Sequence, residues 1–302
     1  MYLEDKALYS HPFFILGSGS NCVFTKDFEG VILQPAIRGI QKIQENDAYV
    51  WLRVGAGENW DSFVAYAVEH NYGGIENLSY IPGNVGAAPI QNIGAYGIEV
   101  KDSIEKVEGI HINKKESITY NKNDCHFAYR TSIFKEALSN KIIITNVTFR
   151  LAKQHRLITD YTGVKEELKK YNEITLQTLR KAIINIRQRK LPDPAVIPNA
   201  GSFFKNPIVS KEKVRALKNS YPLLPIFVHS EREEKVSAAW LIEQCGFKGQ
   251  RIGNIGVSEN HALVLVNYGN GHAQDLRELI IAIQKSVEKT FGLHLEPEVN
   301  II

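Results

Sequence analysis

The chain has 302 residues, which favours two domains over one because a domain averages about 150 residues. A net charge of +3 is too small to predict electrostatic binding to nucleic acid or to an anionic membrane. A hydrophobic fraction of 44% predicts a folded chain and argues against wholesale disorder. The three cysteines are widely spaced and form no Cys-x-x-Cys pair, which predicts a reducing compartment and no metal site. No apolar run approaches the ~20 residues that span a bilayer, so we expect a cytoplasmic protein.

The first third of the chain predicts short strands joined by glycine turns. Apolar runs predict strands at residues 13–16, 31–33 and 49–54. Apolar side chains at helical spacing predict a short amphipathic helix at residues 61–70, and two glycines within residues 71–74 end it.

Two Gly-x-Gly turns follow apolar strands, at residues 17–19 and 55–57. A dinucleotide-binding fingerprint needs a third glycine three positions later, but those positions are Cys22 and Trp60. Taken alone, each turn is therefore better interpreted as an ordinary tight turn. Residues 17–21 nevertheless combine closely spaced amides with two hydroxyls and an amide side chain, a composition that can form an anion-binding nest.

The stretch IPGNVGAAPIQNIGAYG at residues 81–97 has neither helical nor strand periodicity. Its glycines and alanines let the backbone approach a ligand closely, and long loops without secondary structure are usually functional. Together with residues 17–21, it predicts two walls of backbone around a pyrophosphate. The alternative is a set of packed loops without a ligand.

Strand patterns return between residues 106 and 151. Apolar residues at i, i+3, i+7 and i+10 from Leu176 predict a helix that Thr175 caps and that ends at Lys190. The LPDP run at residues 191–194 breaks this helix and marks the main domain boundary. The remaining chain predicts helices at residues 236–245 and 276–287 and strands at residues 262–266 and 293–302.

Three polar segments could carry chemistry. Arg130 in YRTSIFK offers a planar fork for a carboxylate, or is a surface arginine beside a strand. Ser202 in NAGSFFKNP could present a hydroxyl in a dry pocket, or is a turn serine, since the hydrolase pattern Gly-x-Ser-x-Gly is absent. Glu296 and Glu298 in LEPEV would share one strand face, although carboxylates near a chain end are usually solvated.

Taken together, these segments resemble the UDP-N-acetylenolpyruvoylglucosamine reductase family, the flavin-dependent UDP-N-acetylmuramate dehydrogenases of bacterial peptidoglycan precursor synthesis. The resemblance runs from about residue 14 to residue 302 through ILGSGSN, VGAGENW, IPGNVGAAPIQNIGAYG, YRTSIFK, LPDP, NAGSFFKNP, AAWLIEQCGFKG and LEPEV. The long segment between residue 149 and NAGSFFKNP, which includes Tyr161, is similar to that of the type I subgroup.

The resemblance implies an α+β protein with two ligand-binding parts. Residues 1–153 would form an FAD-binding domain of the vanillyl-alcohol-oxidase (PCMH) type, and residues 154–190 a helical connector. Residues 191–302 would form a smaller α+β substrate-binding domain whose last strand returns to the active site. NADPH would reduce the flavin, and the flavin would then pass a hydride to the enolpyruvyl ether of UDP-N-acetylglucosamine. The implied protein is a monomer, and its product would serve cell wall biogenesis, cell shape, the cell cycle and cell division.

The resemblance also implies roles for individual residues. Ser202 would donate a proton, and Arg130 and Glu298 would polarise the substrate carboxylate, with Glu298 carrying a proton itself. Five residues would contact the substrate or the nicotinamide nucleotide, namely Tyr161, Arg187, Lys190, Asn206 and His261. The residues expected to line FAD are Gly17, Ser18, Gly19, Ser20, Asn21, Gly55, Gly57, Pro82, Gly83, Asn84, Gly86, Ala87, Gln91, Asn92, Gly94, Ala95, Tyr96 and Gly97.

The chain departs from the family before ILGSGSN, where related chains carry one more strand–helix unit. Without that unit we expect an unpaired sheet edge, exposed apolar surface and weaker retention of FAD. Two other functions stay open. One is a different FAD oxidoreductase of this fold, such as a sugar or lactone oxidase, although no histidine-linked flavin signature is present. The other is a truncated, inactive paralogue.

Overall fold

A computed structural model describes residues 11–302 and divides them into two units. The first unit contains residues 11–19 and Phe28–Arg187, and the second contains Ser20–Asp27 and Gln188–Ile302. The predicted domain limits at residues 153 and 190 stay predictions. The second unit also takes in the short early segment Ser20–Asp27, which the predicted domain order placed with the first.

Strands and helices alternate irregularly along the described chain. The helices are α1 (Trp60–Glu69), α2 (Thr162–Leu168), α3 (Leu176–Lys190), α4 (Lys211–Ser220), α5 (Ala238–Gln244) and α6 (Ala273–Phe291). The strands of the first unit and of Ser20–Asp27 are β1 (Phe13–Ile15), β2 (Cys22–Val23), β3 (Val31–Leu33), β4 (Ile40–Glu45), β5 (Tyr49–Gly55), β6 (Gly94–Ala95), β7 (Ile98–Glu99), β8 (Ile104–His111), β9 (Glu116–Asn121) and β10 (Ile142–Ala152). Those that follow are β11 (Asn199–Ser202), β12 (Ile208–Ser210), β13 (Ile226–Val228), β14 (Glu233–Val236), β15 (Arg251–Ile252), β16 (Ile255–Val257), β17 (Val264–Asn267) and β18 (Asn300–Ile301).

The first unit is built on a five-stranded antiparallel sheet in the order β4-β5-β10-β8-β9. Alternate residues of β5 are buried, as expected for a strand with one face on a core. Helix α1 contributes Trp60 and Phe63, whose rings pack against Phe149 of β10 with centroids 5.9 Å and 4.8 Å away. This cluster anchors the helix predicted at residues 61–70 to the sheet.

Side chains cap the starts of two helices in the first unit, and one of these caps was predicted from the sequence. The Asn59 side chain caps α1 by accepting from the Ser62 amide at 2.9 Å. Thr175 caps α3 by accepting from the Thr178 amide at 3.2 Å, and the Thr178 hydroxyl accepts from the Thr175 amide at 2.8 Å. The predictions of the α3 start and its cap are confirmed.

The segment before the five-stranded sheet is loosely packed. Strands β1 and β3 pair in parallel as a two-stranded sheet, with Phe13 opposite Val31. None of residues 11–39 is buried, and Ile32 and Ile37 are 44% and 41% exposed. Within the described residues, this part of the chain therefore presents more apolar surface than the sheet beside it.

The second unit contains two antiparallel sheets and a short parallel pair. The sheets have the orders β11-β17-β16-β15 and β12-β14-β13. Strand β18 pairs in parallel with β2, with Asn300 opposite Cys22. The apolar face of α6, predicted from its periodicity, lies in the core of this unit and includes Leu279, Ile283 and Val287.

The end of the chain differs from the predicted strand at residues 293–302. Regular strand is confined to Asn300–Ile301, and Phe204 and Pro297 form an isolated antiparallel bridge before it. Pro297 has no amide hydrogen, so it interrupts a strand ladder. Burial still alternates from Leu293 to Glu296, because the segment is extended.

Candidate active site

The loop at residues 81–97 lies against the first glycine turn within the first unit. A Cβ placed on Gly17 would lie 3.4 Å from the Ala87 Cβ, so the two backbones approach closely. Gly19 has a φ of 76°, and nothing among the described residues lies within 4 Å of the position that its Cβ would occupy. No side chain fills the position beside Gly19, which is compatible with the predicted backbone wall, and contact of this turn with a pyrophosphate stays a prediction.

The second Gly-x-Gly turn packs against protein backbone. Cβ atoms on Gly55 and Gly57 would lie 2.4 Å from the Ile37 oxygen and 2.7 Å from the Ala36 carbonyl carbon. The amides of Gly55 and Gly57 donate to Gly39 and Ile37. An anion bound through these amides would have to displace existing hydrogen bonds, and a cofactor role for this turn stays a prediction.

Asn92 fixes the far end of the loop. It is fully buried with a φ of 45°, and its Nδ2 donates to Glu99 Oε2 at 2.9 Å and to the Ala128 carbonyl at 3.0 Å. Its Oδ1 accepts from the Lys101 amide at 3.1 Å. These bonds use its side-chain amide within the protein, so Asn92 shapes the predicted FAD wall, and direct contact with FAD stays a prediction.

Arg130 lies at a tight turn that is tied to the same loop. Ala128 and Thr131 form an isolated bridge, and Arg130 itself has a φ of 56°. Its Nη2 donates to the Gly94 carbonyl at 2.7 Å, and the Ser132 hydroxyl donates to the Ile90 carbonyl at 2.6 Å. The guanidinium is half-buried, so a predicted carboxylate clamp is held beside Gly94 of the loop.

Two tyrosines and an arginine form a second cluster in the first unit. The Tyr96 and Tyr161 rings meet edge to face at 5.3 Å, and the Tyr96 hydroxyl interacts electrostatically with the Arg187 side chain. Burial raises the pKa of both tyrosines and lowers the pKa of Arg187. Three predicted ligand contacts are therefore brought together on the surface of one unit.

Ser202 and Glu298 lie on neighbouring segments of the second unit. Ser202 ends β11, opposite Val264 of β17. The Glu298 amide donates to the carbonyl of Phe203, the next residue after Ser202, at 2.7 Å. The chain end thus runs antiparallel beside NAGSFFKNP, and both side chains are half-buried. Sequence patterns identify each segment separately, but only the structure shows that the two segments pair.

Asn21 connects the ILGSGSN turn to this chain end. Its side chain donates to the Glu298 carbonyl at 3.3 Å, and its own carbonyl accepts from the Asn300 amide at 3.0 Å. Ser20 and Asn21 belong to the second unit, whereas residues 17–19 belong to the first. The predicted FAD turn therefore spans the division of the chain.

The other predicted substrate contacts of the second unit are Asn206, Lys190 and His261. The Asn206 Oδ1 accepts from the Ala238 amide at the start of α5, at 2.9 Å. Lys190 is the exposed last residue of α3, and His261 Nδ1 accepts from the Leu263 amide at 3.3 Å. Asn206 and His261 thus have structural contacts, and their ligand roles stay predictions.

Residues that sequence patterns missed surround the tyrosine–arginine cluster. Asn77 is fully buried, and its Nδ2 donates to the carbonyls of Tyr96 and Ile158, both at 2.9 Å. Asp61 accepts from the Tyr80 amide at 2.5 Å. An acidic residue in the first turn of a helix is common, so nothing in the sequence distinguished Asp61.

The described part of the chain contains neither a candidate metal site nor a candidate membrane-spanning helix. Among residues 11–302, no cluster of three or more histidine, cysteine, aspartate or glutamate side chains could hold a metal ion. Over the same residues, no helix combines the length and apolar character that crossing a membrane requires.

Curated relatives match nearly the whole chain. A UDP-N-acetylenolpyruvoylglucosamine reductase of Flavobacterium johnsoniae is 46% identical over 96% of this chain and 87% of its own. A protein of the same name from Amoebophilus asiaticus is 47% identical over 99% of this chain and 89% of its own. The chain belongs to the UDP-N-acetylenolpyruvoylglucosamine reductase family. The family prediction is confirmed, and with it the prediction of an FAD-containing oxidoreductase.

Family models agree with this membership, and a solved structure agrees with the fold. A model of an FAD binding domain matches residues 5–112, and one of the UDP-N-acetylenolpyruvoylglucosamine reductase C-terminal domain matches residues 193–302. A crystal structure of UDP-N-acetylenolpyruvylglucosamine reductase from Thermus caldophilus aligns with a TM-score of 0.62 at 24% identity. It covers 96% of this chain and 85% of that chain, and the predicted fold class is confirmed.

Proposed function

We propose that this chain is an NADPH-dependent reductase that converts the enolpyruvyl ether of UDP-N-acetylglucosamine to UDP-N-acetylmuramate. The backbone hydrogen bond from Glu298 to Phe203 carries the proposal, because it sets the segment of the expected acid beside that of the proton donor. Family membership supports the substrate and the co-substrate.

Ser202 is the proposed proton donor of this reaction. When bound, FAD supplies a hydride acceptor and donor that serves NADPH and the sugar nucleotide in turn. Negative charge then develops on the ether-bearing carbon and its carboxylate. The Ser202 hydroxyl gives its proton to that carbon, which completes the lactyl ether, and the serine recovers a proton from solvent.

Arg130 and Glu298 would stabilise the developing charge. Arg130 presents a guanidinium that the Gly94 carbonyl orients, and a planar fork matches a carboxylate. Glu298 in its protonated form would donate a hydrogen bond to the same group. Tyr161, Arg187, Lys190, Asn206 and His261 are the proposed contacts for the diphosphate, the sugar or the nicotinamide nucleotide.

The proposal also covers where FAD binds, how the chain divides into domains and where in the cell the enzyme acts. FAD would lie along residues 17–21 and 82–97, with residues 1–153 as its domain, 154–190 as a connector and 191–302 as the substrate-binding domain. We place the enzyme in the cytoplasm as a monomer that meets neither nucleic acid nor membrane. Its product would enter peptidoglycan synthesis, on which cell shape, the cell cycle and cell division depend.

Substituting Ser202 tests the proposed proton transfer. For S202A, we expect NADPH oxidation with the enolpyruvyl sugar to fall by about 10²–10⁴-fold, the usual contribution of a general acid. Reduction of bound FAD by NADPH in stopped flow should stay normal, because no carbon is protonated in that half-reaction. S210A is the matched control, since Ser210 caps α4 and has no proposed ligand contact.

Other outcomes would contradict the proposal. Near-normal turnover by S202A would exclude Ser202 as the proton donor. NADPH-independent oxygen consumption with a sugar or lactone would instead indicate an oxidase, and a sample that neither holds flavin nor oxidises NADPH would indicate an inactive paralogue.

A further inference from the structure

Tyr80 directly precedes the loop at residues 81–97 and has a backbone conformation that tyrosine rarely adopts. Its φ is 59°, in the left-handed region. A bulky residue there is strained, and such strain persists only where the surroundings impose it. The Tyr80 amide donates to Asp61 Oδ1 at 2.5 Å, and the Tyr80 carbonyl accepts from Arg187 Nε at 2.9 Å. Side chains from α1 and α3 therefore hold this residue through its amide and its carbonyl.

Asp61 is itself held by Arg180 of α3. Arg180 Nη1 lies 2.6 Å from Asp61 Oδ1, and Nη2 lies 2.9 Å from Oδ2. The pair is two-pronged, and the Arg180 and Asp61 side chains are only 15% and 27% exposed. Such a geometry fixes a carboxylate better than a single contact does. The Asp61 acceptor is thereby aimed at the Tyr80 amide.

The chain of contacts ends on Arg187, seven residues after Arg180 on the same helix. Arg187 Nε donates to the Tyr80 carbonyl at 2.9 Å, and the Arg187 charge also interacts with the Tyr96 hydroxyl. An arginine with a fixed partner has fewer orientations to lose when it binds a phosphate. All of these residues belong to the first unit.

We propose that Asp61 and Arg180 are positioning residues for Arg187, because they fix the Tyr80 carbonyl that orients its guanidinium toward a diphosphate. This inference rests on the proposed function, which makes Arg187 a phosphate contact. Asp61 contacts the Tyr80 amide and Arg180, and the proposed function assigns a ligand contact to neither Asp61 nor Arg180. Their influence on ligand affinity must therefore pass through Arg187, and it vanishes when Arg187 no longer makes its contacts.

A double-mutant cycle tests this coupling. The FAD-loaded full chain is prepared as wild type, D61N, R187K and D61N/R187K, and the Kd for UDP is measured by calorimetry. We expect D61N to weaken UDP binding about tenfold, with less than about a twofold further loss when R187K is already present. In turnover assays, D61N should raise KM for the sugar nucleotide far more than it lowers kcat. R180K supplies the same measurement should D61N fail to fold.

The control variant is R53K. Arg53 forms a half-buried ion pair with Glu108 in the same unit, at 2.9 Å, without contact to Tyr80. R53K should change the melting temperature but leave the UDP affinity unchanged. Additive losses from D61N and R187K, or an equal loss of affinity in R53K, would overturn the inference. A wild type that binds UDP but does not oxidise NADPH with the enolpyruvyl sugar would instead contradict the proposed function, and the cycle would still report on Asp61.

Discussion

Gly86 and Ala56 approach so closely that no side chain fits between them. A Cβ on Gly86 would lie 2.6 Å from the Ala56 Cβ, closer than carbon atoms pack. Gly163 of α2 is the opposite case, because nothing among the described residues lies within 4 Å of its Cβ position. Close packing therefore excludes a side chain at Gly86, whereas the space around Gly163 would accept one.

We expect G86A to destabilise the protein by about 1–3 kcal/mol, the usual cost of overpacking a core. G163A should stabilise it by about 0.5–1 kcal/mol, because alanine restricts the unfolded chain more than glycine does. Denaturant unfolding monitored by far-UV circular dichroism measures both variants. An unchanged free energy of unfolding in G86A would show that the backbone around this contact can relax.

Single residues show where prediction from sequence stopped. The density of glycine and alanine at residues 81–97 predicted a close approach, but its partners at Gly17 and Ala56 lie far away in the chain. For Gly55 and Gly57 the same composition serves packing against Ala36 and Ile37. Composition indicates that backbones meet without identifying what they meet.

At the scale of elements, Asp61 joins the start of α1 to α3. Burial raises the pKa of this carboxyl, but hydrogen bonds from Arg180 and the Tyr80 amide, with the nearby arginine charges, outweigh burial and leave it below its ordinary value. A pKa lower in the folded state than in the unfolded state stabilises the fold only where the carboxyl is ionised.

Asp61 should therefore make stability depend on pH. Its contribution is present above the unfolded pKa of about 4 and is lost as the pH falls through the lower folded value. We expect wild type to exceed D61N in unfolding free energy at pH 7, with the gap closing below about pH 4. Urea titrations at several pH values measure it. A gap that stays constant down to pH 3 would mean that Asp61 does not titrate in this range.

Helices with strong periodicity were predicted well, and the strands predicted at residues 13–16, 31–33 and 49–54 are confirmed as β1, β3 and β5, whereas the chain end and β11 were missed. Helices α1, α3 and α6 bury the apolar stripes that their sequences show. The strand predicted at residues 293–302 shrank to Asn300–Ile301, because Pro297 lacks a donor. No strand was predicted at β11, because its partner β17 lies about 60 residues on and short-range patterns do not report such pairing.

At the scale of the whole molecule, the described chain is unevenly packed. The five-stranded sheet contains fully buried Val50, Leu52 and Val147, whereas none of residues 11–39, which precede it, is buried. Segments with few buried apolar contacts open at low free energy. Strands β1 and β3 should accordingly behave differently from β5 and β10.

We expect amides of β1 and β3 to exchange with deuterium much faster than those of β5 and β10. Added FAD should slow exchange around residues 13–19, because bound ligand stabilises the closed form. Exchange mass spectrometry with and without FAD checks both statements. Flavin that binds without protecting residues 13–19 would argue against the predicted FAD turn.

Sequence patterns could not predict which segments of the chain form the second unit. Motif order gave two successive domains, but Ser20–Asp27 joins residues from the other end of the chain. The bonds that hold it, such as the Thr25 amide to the Ile302 carbonyl at 2.8 Å, join residues 277 positions apart. Pattern arguments act within windows of roughly 11–18 residues, so this pairing is beyond them.

The pairing of β18 with β2 also constrains the order of events during synthesis. Cys22 and Val23 are made well before their partners Asn300 and Ile301, which lie 278 residues further along the chain. The second unit therefore cannot close until Asn300 and Ile301 have been made, although the five-stranded sheet can form once β10 has left the tunnel. Until then, the segment around Ser20–Asp27 is exposed to chaperones and proteases in the nascent chain.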